Sequence, residues 1–155
     1  MQKIIQNAYD WAEGFLGQGH PATFIPELAK QDPNQLGLAI TTCDGAFYHV
    51  GDCHAKFTIQ SISKLLLLAV ALEDSGFDHV FSRVGMEPSG DQFNSIYRLE
   101  TERRPANPMI NAGAIAVSGC IHGDTAEQRV EKVLELAAKC MGVARVERSA
   151  EVFQC

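Results

Sequence analysis

The chain has 155 residues, 46% hydrophobic and 21% charged, a composition that fits one soluble globular domain with a real core, or a piece of something larger, and excludes a disordered or fibrous chain. A formal net charge of -6, with Arg103 and Arg104 as the only adjacent basic pair, leaves no basic stripe to neutralise phosphates, so no nucleic-acid partner is expected. No run reaches the roughly 18 apolar residues of a membrane span.

From the N-terminus, Ile4, Ile5, Ala8, Trp11 and Phe15 recur at helical spacing, so residues 2–16 are expected to form an amphipathic helix stopped by Gly17 and Gly19. The segment from Phe24 to Ala29 begins a new turn or short helix, and Pro33 closes the connection. Residues 36–42 and 46–50 read as strands joined by a turn on Asp44 and Gly45. A lone hairpin is marginal, and only residues 115–121 offer another strand, so the sheet is expected to be completed by chain not seen here.

Residues 60–73 read as a helix, apolar all round from Leu65 to Leu72 and therefore buried, ended at Ser75 and Gly76. A short helix over 77–84 closes at Gly85, and residues 86–108 read as an ordered surface loop that buries Phe93, Ile96, Tyr97 and Leu99. Residues 111–120, small and apolar, suit a helix or a strand in close packing. Thr125 to Gln128 is a capping box opening an amphipathic helix through Val130, Val133, Leu134, Ala137 and Met141, with Gly142 as its stop.

Chemistry is expected at the mouth of the apolar helix. Ser61 and Lys64 stand three apart, nearly one helical turn, so hydroxyl and amine share a face. A partly desolvated lysine there would disfavour its ammonium form and could take a proton from Ser61. The spacing alone is common, and a lysine snorkelling from a core helix is the alternative. Ser63 lacks a lysine at its own +3 position, where Leu66 stands, and reads as structural. Cys43, Cys53, Cys120, Cys140 and Cys155 form an odd set with no CxxC spacing and no His at zinc-finger offsets. They read as reduced and non-metal, which with no signal-peptide pattern points to a cytoplasmic protein; His54 and the other histidines receive no role. No cofactor and no metal are expected.

Several stretches then fall together: residues 24–29, Gln60 to Lys64, Glu87-Pro88-Ser89-Gly90 with Phe93 and Asn94, and Asn107-Pro108-Met109-Ile110-Asn111-Ala112-Gly113-Ala114-Ile115. In this order and spacing they resemble the serine-dependent glutaminase family, whose catalytic domain is similar to β-lactamases and penicillin-binding proteins. The resemblance implies an α+β, β-lactamase/transpeptidase-like fold, a helical cluster beside an antiparallel sheet, of which residues 1–155 are the N-terminal part of a single catalytic domain. It implies hydrolysis of L-glutamine to L-glutamate and ammonia, with Ser61 as nucleophile, Lys64 as its proton acceptor, and Gln60, Ser61 and Asn111 binding substrate. It also implies a homo-oligomer, dimer or tetramer. Phe24 replaces the family's usual Tyr. A Glu followed by Arg-Asn, two tyrosines and an oxyanion valine have no counterpart here; Glu147 and Glu151 lie near the expected place of that Glu, and neither is followed by Arg-Asn. The alternatives are a penicillin-interactive acyltransferase or β-lactamase, which shares Ser-x-x-Lys, and a non-catalytic truncated module.

Overall fold

The computed structural model describes residues 1–90, 92 and 104–153. Two compact units divide the chain: Met1–Thr58 with Arg148–Cys155, and Ile59–Glu147.

The first unit holds α1 (Gln2–Glu13), α2 (Pro26–Ala29, with Pro26 at its first position), β1 (Gly37–Thr41), β2 (Phe47–Gly51) and the short α6 (Ala150–Phe153). The hairpin forms as the turn residues dictate: Gly45 takes φ 85°, and β1 and β2 pair antiparallel from Gly37 opposite Gly51 to Thr41 opposite Phe47. Helix α1 ends at Glu13, short of the expected Leu16, and the chain tightens into i→i−3 bonds from Phe15 and Leu16 before Gly17 turns it at φ 78°. Its buried stripe also differs from the expected one. Ile5 is buried and Tyr9, Ala12 and Leu16 are half-buried, whereas Ile4, Trp11 and Phe15 are exposed. The physical reason is β2: the Tyr9 ring lies where a Cβ on Gly51 would be, 2.3 Å away, so the hairpin selects the Ile5–Tyr9 side of the helix. Helix α1 packs on both strands, chiefly β2, while most residues of the two strands stay exposed.

The second unit is helical. A 3-10 turn (Gln60–Ile62) leads into α3 (Ser63–Arg83), which is broken at Gly76, φ 75° and ψ 164°, where the sequence places the helix end. Residues 111–118 resolve the helix-or-strand ambiguity as α4 (Asn111–Ser118); its Gly113, Ala114 and Val117 are buried, as close packing on α3 requires. Helix α5 (Ala126–Met141) starts on Thr125, whose Oγ1 accepts from Gln128 N at 3.2 Å, and stops at Gly142 in the left-handed region at φ 65°. The return arm of the box goes one residue further back than usual: Asp124 N donates to Gln128 Oε1 at 2.7 Å.

Val70, Ala71, Val80, Val84, Val117, Cys120 and Ile121 form the core of this unit. Asp74 pins it from the rim, accepting from Lys132 Nζ at 2.7 and 2.9 Å and from His122 N at 2.8 Å, and the Lys132 bond is the main cause holding its carboxyl below the usual range. Helix α3 is not buried all round. Val70 and Ala71 are covered, but Ile62, Leu65 and Ala69, on one helical stripe, are exposed, because α4 and α5 pack elsewhere on the helix. The loop after α3 is tied across its ends, Gly85 N to Pro105 O at 2.8 Å and Glu87 N to Ala106 O at 3.1 Å. The expected burial of Phe93, Ile96, Tyr97 and Leu99 falls outside the described residues.

The expected α+β class holds, with the hairpin and three helices in one unit and helices alone among the described residues of the other. Among the described residues no helix is long and apolar enough to cross a membrane.

Candidate active site

The candidate residues occupy the start of α3 and the start of α4. Gln60 has φ 44°, the only positive φ outside glycine among the described residues, so backbone strain sits immediately before Ser61. Ser61 is exposed in the 3-10 turn, and Ser63 Oγ bends back to Gln60 O at 2.7 Å. Lys64, half-buried in the first turn of α3, points its amine across to α4: Nζ donates to Asn111 Oδ1 at 2.7 Å and to Met109 O at 2.9 Å.

The second anchor is built by Asn107. Its Oδ1 accepts from Met109 N at 3.0 Å and Ile110 N at 3.3 Å, while its Nδ2 donates to Glu87 O at 2.9 Å. One carboxamide thereby closes the turn that opens α4 and ties that turn to the loop after α3. Close approach is enforced by Gly113, where a Cβ would fall 1.8 Å from Asn107 O. Asn111, the first residue of α4, is delivered to Lys64 by this turn.

Lys64 and Asn111, expected in separate roles, are therefore bonded to each other. With its oxygen held by the amine, Asn111 keeps an NH2 group whose donors suit a carboxylate or carbonyl acceptor. Sequence reasoning missed Asn107 and the Met109 carbonyl as parts of the site. The signal available was Asn-Pro, a turn initiator whose amide oxygen can cap the following backbone N–H groups. Phe24 belongs to the first unit, where its ring is exposed.

A serine at a strained helix entrance, a lysine one turn on, and an asparagine bonded to that lysine define a candidate Ser-x-x-Lys acyl-transfer site on a β-lactamase-like α+β fold. Comparison with known proteins gives the particular family. The glutaminase family model matches residues 19–155. A glutaminase from Fusobacterium nucleatum is 48% identical over 139 residues, 88% of this chain and 46% of that protein. A glutaminase from Clostridium botulinum (Kyoto, type A2) is 41% identical over 156 residues, 99% of this chain and 50% of that protein. Among solved structures, the probable glutaminase ybaS superposes with a TM-score of 0.90 at 38% identity, covering 99% of this chain and 49% of that one. A probable glutaminase of Bacillus subtilis gives 0.85 at 33%, covering 99% and 46%. The chain belongs to the glutaminase family. It spans about half the length of the curated relatives it matches.

Proposed function

We propose that this chain is part of a glutaminase, hydrolysing L-glutamine to L-glutamate and ammonia through a γ-glutamyl ester. The observation that carries the reading is the Lys64 amine bonded to Asn111 Oδ1 and Met109 O, which joins the Ser-x-x-Lys turn to the Asn-Pro-x-x-Asn stretch in a family member. In the proposed reaction Ser61 Oγ attacks the side-chain carboxamide carbon and Lys64 serves as its proton acceptor. The C–N bond then breaks, ammonia leaves with a proton, and water cleaves the ester to release glutamate and restore the serine. The Ser61 backbone N–H, at the head of the α3 segment, is suited to half of an oxyanion hole. Gln60 and Asn111 are proposed to hold the substrate's α-amino and α-carboxylate groups. The chemistry calls on no cofactor.

The proposal extends to residues 1–155 as the N-terminal part of one catalytic domain, supported by matches that span about half of each relative. It takes the complete enzyme to be a cytoplasmic homo-oligomer, dimer or tetramer. Free thiols at Cys43, Cys53, Cys120 and Cys140 agree with a reducing compartment. A Bacillus subtilis relative is described in complex with 6-diazo-5-oxo-L-norleucine, a diazoketone analogue of glutamine, which favours a glutamine-shaped pocket over a penicillin-shaped one.

Ammonia release from L-glutamine by the purified chain, alone and mixed with the part of the Fusobacterium glutaminase beyond the matched region, tests the reading. The chain alone is expected to turn over little or nothing, and any restored activity to vanish in Ser61→Ala. Turnover that survives Ser61→Ala would overturn the assignment of the nucleophile.

A further inference from the structure

Outside the candidate active site, ligand-type side chains converge in the first unit. His49, Cys53 and His54 each offer one donor atom, and the three atoms lie within 4.8 Å of one another. Cys53 Sγ is 3.3 Å from His49 Nδ1, and the rings of His49 and His54 meet edge to face with centroids 5.5 Å apart. Spacing in the sequence gives only half a signal: His49-x4-His54 has the separation of the His pair in a zinc finger, but no CxxC accompanies it, and Cys53 lies between the two histidines. The fold creates it. Gly51 at φ 67° ends β2 and the following turn closes with Ala55 N donating to Asp52 O at 2.9 Å, so the chain doubles back and returns Cys53 and His54 to the strand it has just left.

The backbone under the cluster is fixed on every side. A Cβ on Gly51 would meet Leu36 O at 2.4 Å, and one on Gly37 would meet Asp52 C at 2.7 Å. Asp52 Oδ2 accepts from Leu36 N at 3.1 Å, which clamps the turn to the start of β1, and Gln2 Nε2 donates to His49 O at 3.0 Å. The ring of His49 is oriented as well: Phe47, two residues earlier on the same exposed face, stacks on it at 5.1 Å and 28°. Opposite His49 across the hairpin stands the small side chain of Ala39.

We propose that His49, Cys53 and His54 form a three-ligand site for a borderline transition-metal ion, Zn2+ in particular. A tetrahedral Zn2+ with one thiolate and two imidazoles holds its donors about 3.3–3.8 Å apart, given metal–ligand lengths of about 2.0–2.3 Å. Cys53 Sγ and His49 Nδ1 are already at 3.3 Å, and the His54 donor, within 4.8 Å of both, has at most about 1.5 Å to close. One thiolate and two neutral imidazoles select Zn2+, Co2+ or copper over Mg2+ and Ca2+, which take oxygen. The fourth position is left to water, and the ion fastens the turn after β2 to the strand. This departs from the non-metal reading of the cysteines, because the sequence shows their separation along the chain and not the turn that cancels it.

Co2+ titration of the purified protein, freed of chelators, tests the site. The expected result is one ion per chain with a near-ultraviolet thiolate-to-cobalt charge-transfer band and tetrahedral visible bands, displaced by one equivalent of Zn2+. Cys53→Ser removes the charge-transfer band, and His49→Ala or His54→Ala each weakens binding by at least about tenfold. Cys43→Ser and Cys140→Ser, which change the exposed thiols among the described residues, leave the spectrum intact. As a second readout, Zn2+ raises the thermal midpoint of the wild type but not of Cys53→Ser. Absence of the band, its survival in Cys53→Ser, or its loss in Cys43→Ser would overturn the proposal.

Discussion

Replacing Gly113 by alanine adds one methyl group at the point where α4 is closest to the turn before it. The added Cβ would stand 1.8 Å from Asn107 O and 2.8 Å from Asn107 C, so helix and turn must separate by roughly 1.2 Å before the contact reaches 3.0 Å. Two effects oppose each other. Alanine in a helix is favoured over glycine by about 1 kcal/mol. Overpacking against a well-seated neighbour costs about 1–3 kcal/mol or more, and the obstacle here is backbone on one side and helix on the other, which puts the cost at the upper end. The net expectation is a loss of about 2 kcal/mol, a fall of about 4–8 °C in the thermal midpoint for a chain of this size. Circular dichroism during heating measures it. The same displacement moves Met109 O and Asn111 Oδ1 relative to Lys64, and misplacement by about 1 Å is enough to cost on the order of 100-fold in a catalytic rate. A midpoint within about 1 °C of the wild type, or above it, would show that helix propensity outweighs the contact and would refute the reasoning.

Gly14→Ala is expected to act in the opposite direction. Gly14 has φ -64°, and its Cβ would meet nothing nearer than Trp11 O at 3.5 Å, so a gain of about 0.4–1 kcal/mol is expected from a less flexible unfolded chain, read as a rise in denaturant midpoint. Asp74 gives the pH dependence. Its folded carboxyl lies below the ordinary value, so the stability it contributes is present above the unfolded carboxylate pKa and is lost as pH falls through the lower folded one. Acid titration of stability should show this loss in the wild type and a shallower acid limb in Asp74→Asn; identical limbs would remove Asp74 from the account.

Legibility in the sequence followed the range of the interaction. The hairpin turn at Asp44 and Gly45, the cap at Thr125, the break at Gly76 and the stop at Gly142 are decided by one or two residues, and each is found where the pattern places it. The face of α1 was not legible, because bulky Ile4, Trp11 and Phe15 outweigh Tyr9 in a periodicity count while the hairpin chooses Tyr9 for its fit against Gly51. Helix α4 was ambiguous since its alanines favour a helix while Gly113 disfavours one and the run is apolar without a clear period, and its identity rests on packing against α3. Ser61, Lys64 and Asn111 could be named from motifs, but the bond between Lys64 and Asn111 spans 47 residues, and although Asn-Pro announces a turn at Asn107, nothing local says that the turn faces Lys64.

The bare stripe on α3 has a practical meaning for anyone handling the chain. Ile59 is 44% exposed, Ile62 54% and Leu65 61%, three branched hydrocarbons spaced by three residues through the 3-10 turn and the first turn of α3. Hydrophobic dyes that brighten on such surfaces are commonly read as reporters of lost tertiary packing. Residues 1–155 by themselves offer such dyes a binding strip while folded, so dye fluorescence together with a cooperative thermal transition is compatible with correct folding of this chain, and a dye-based melting curve starts from a raised baseline.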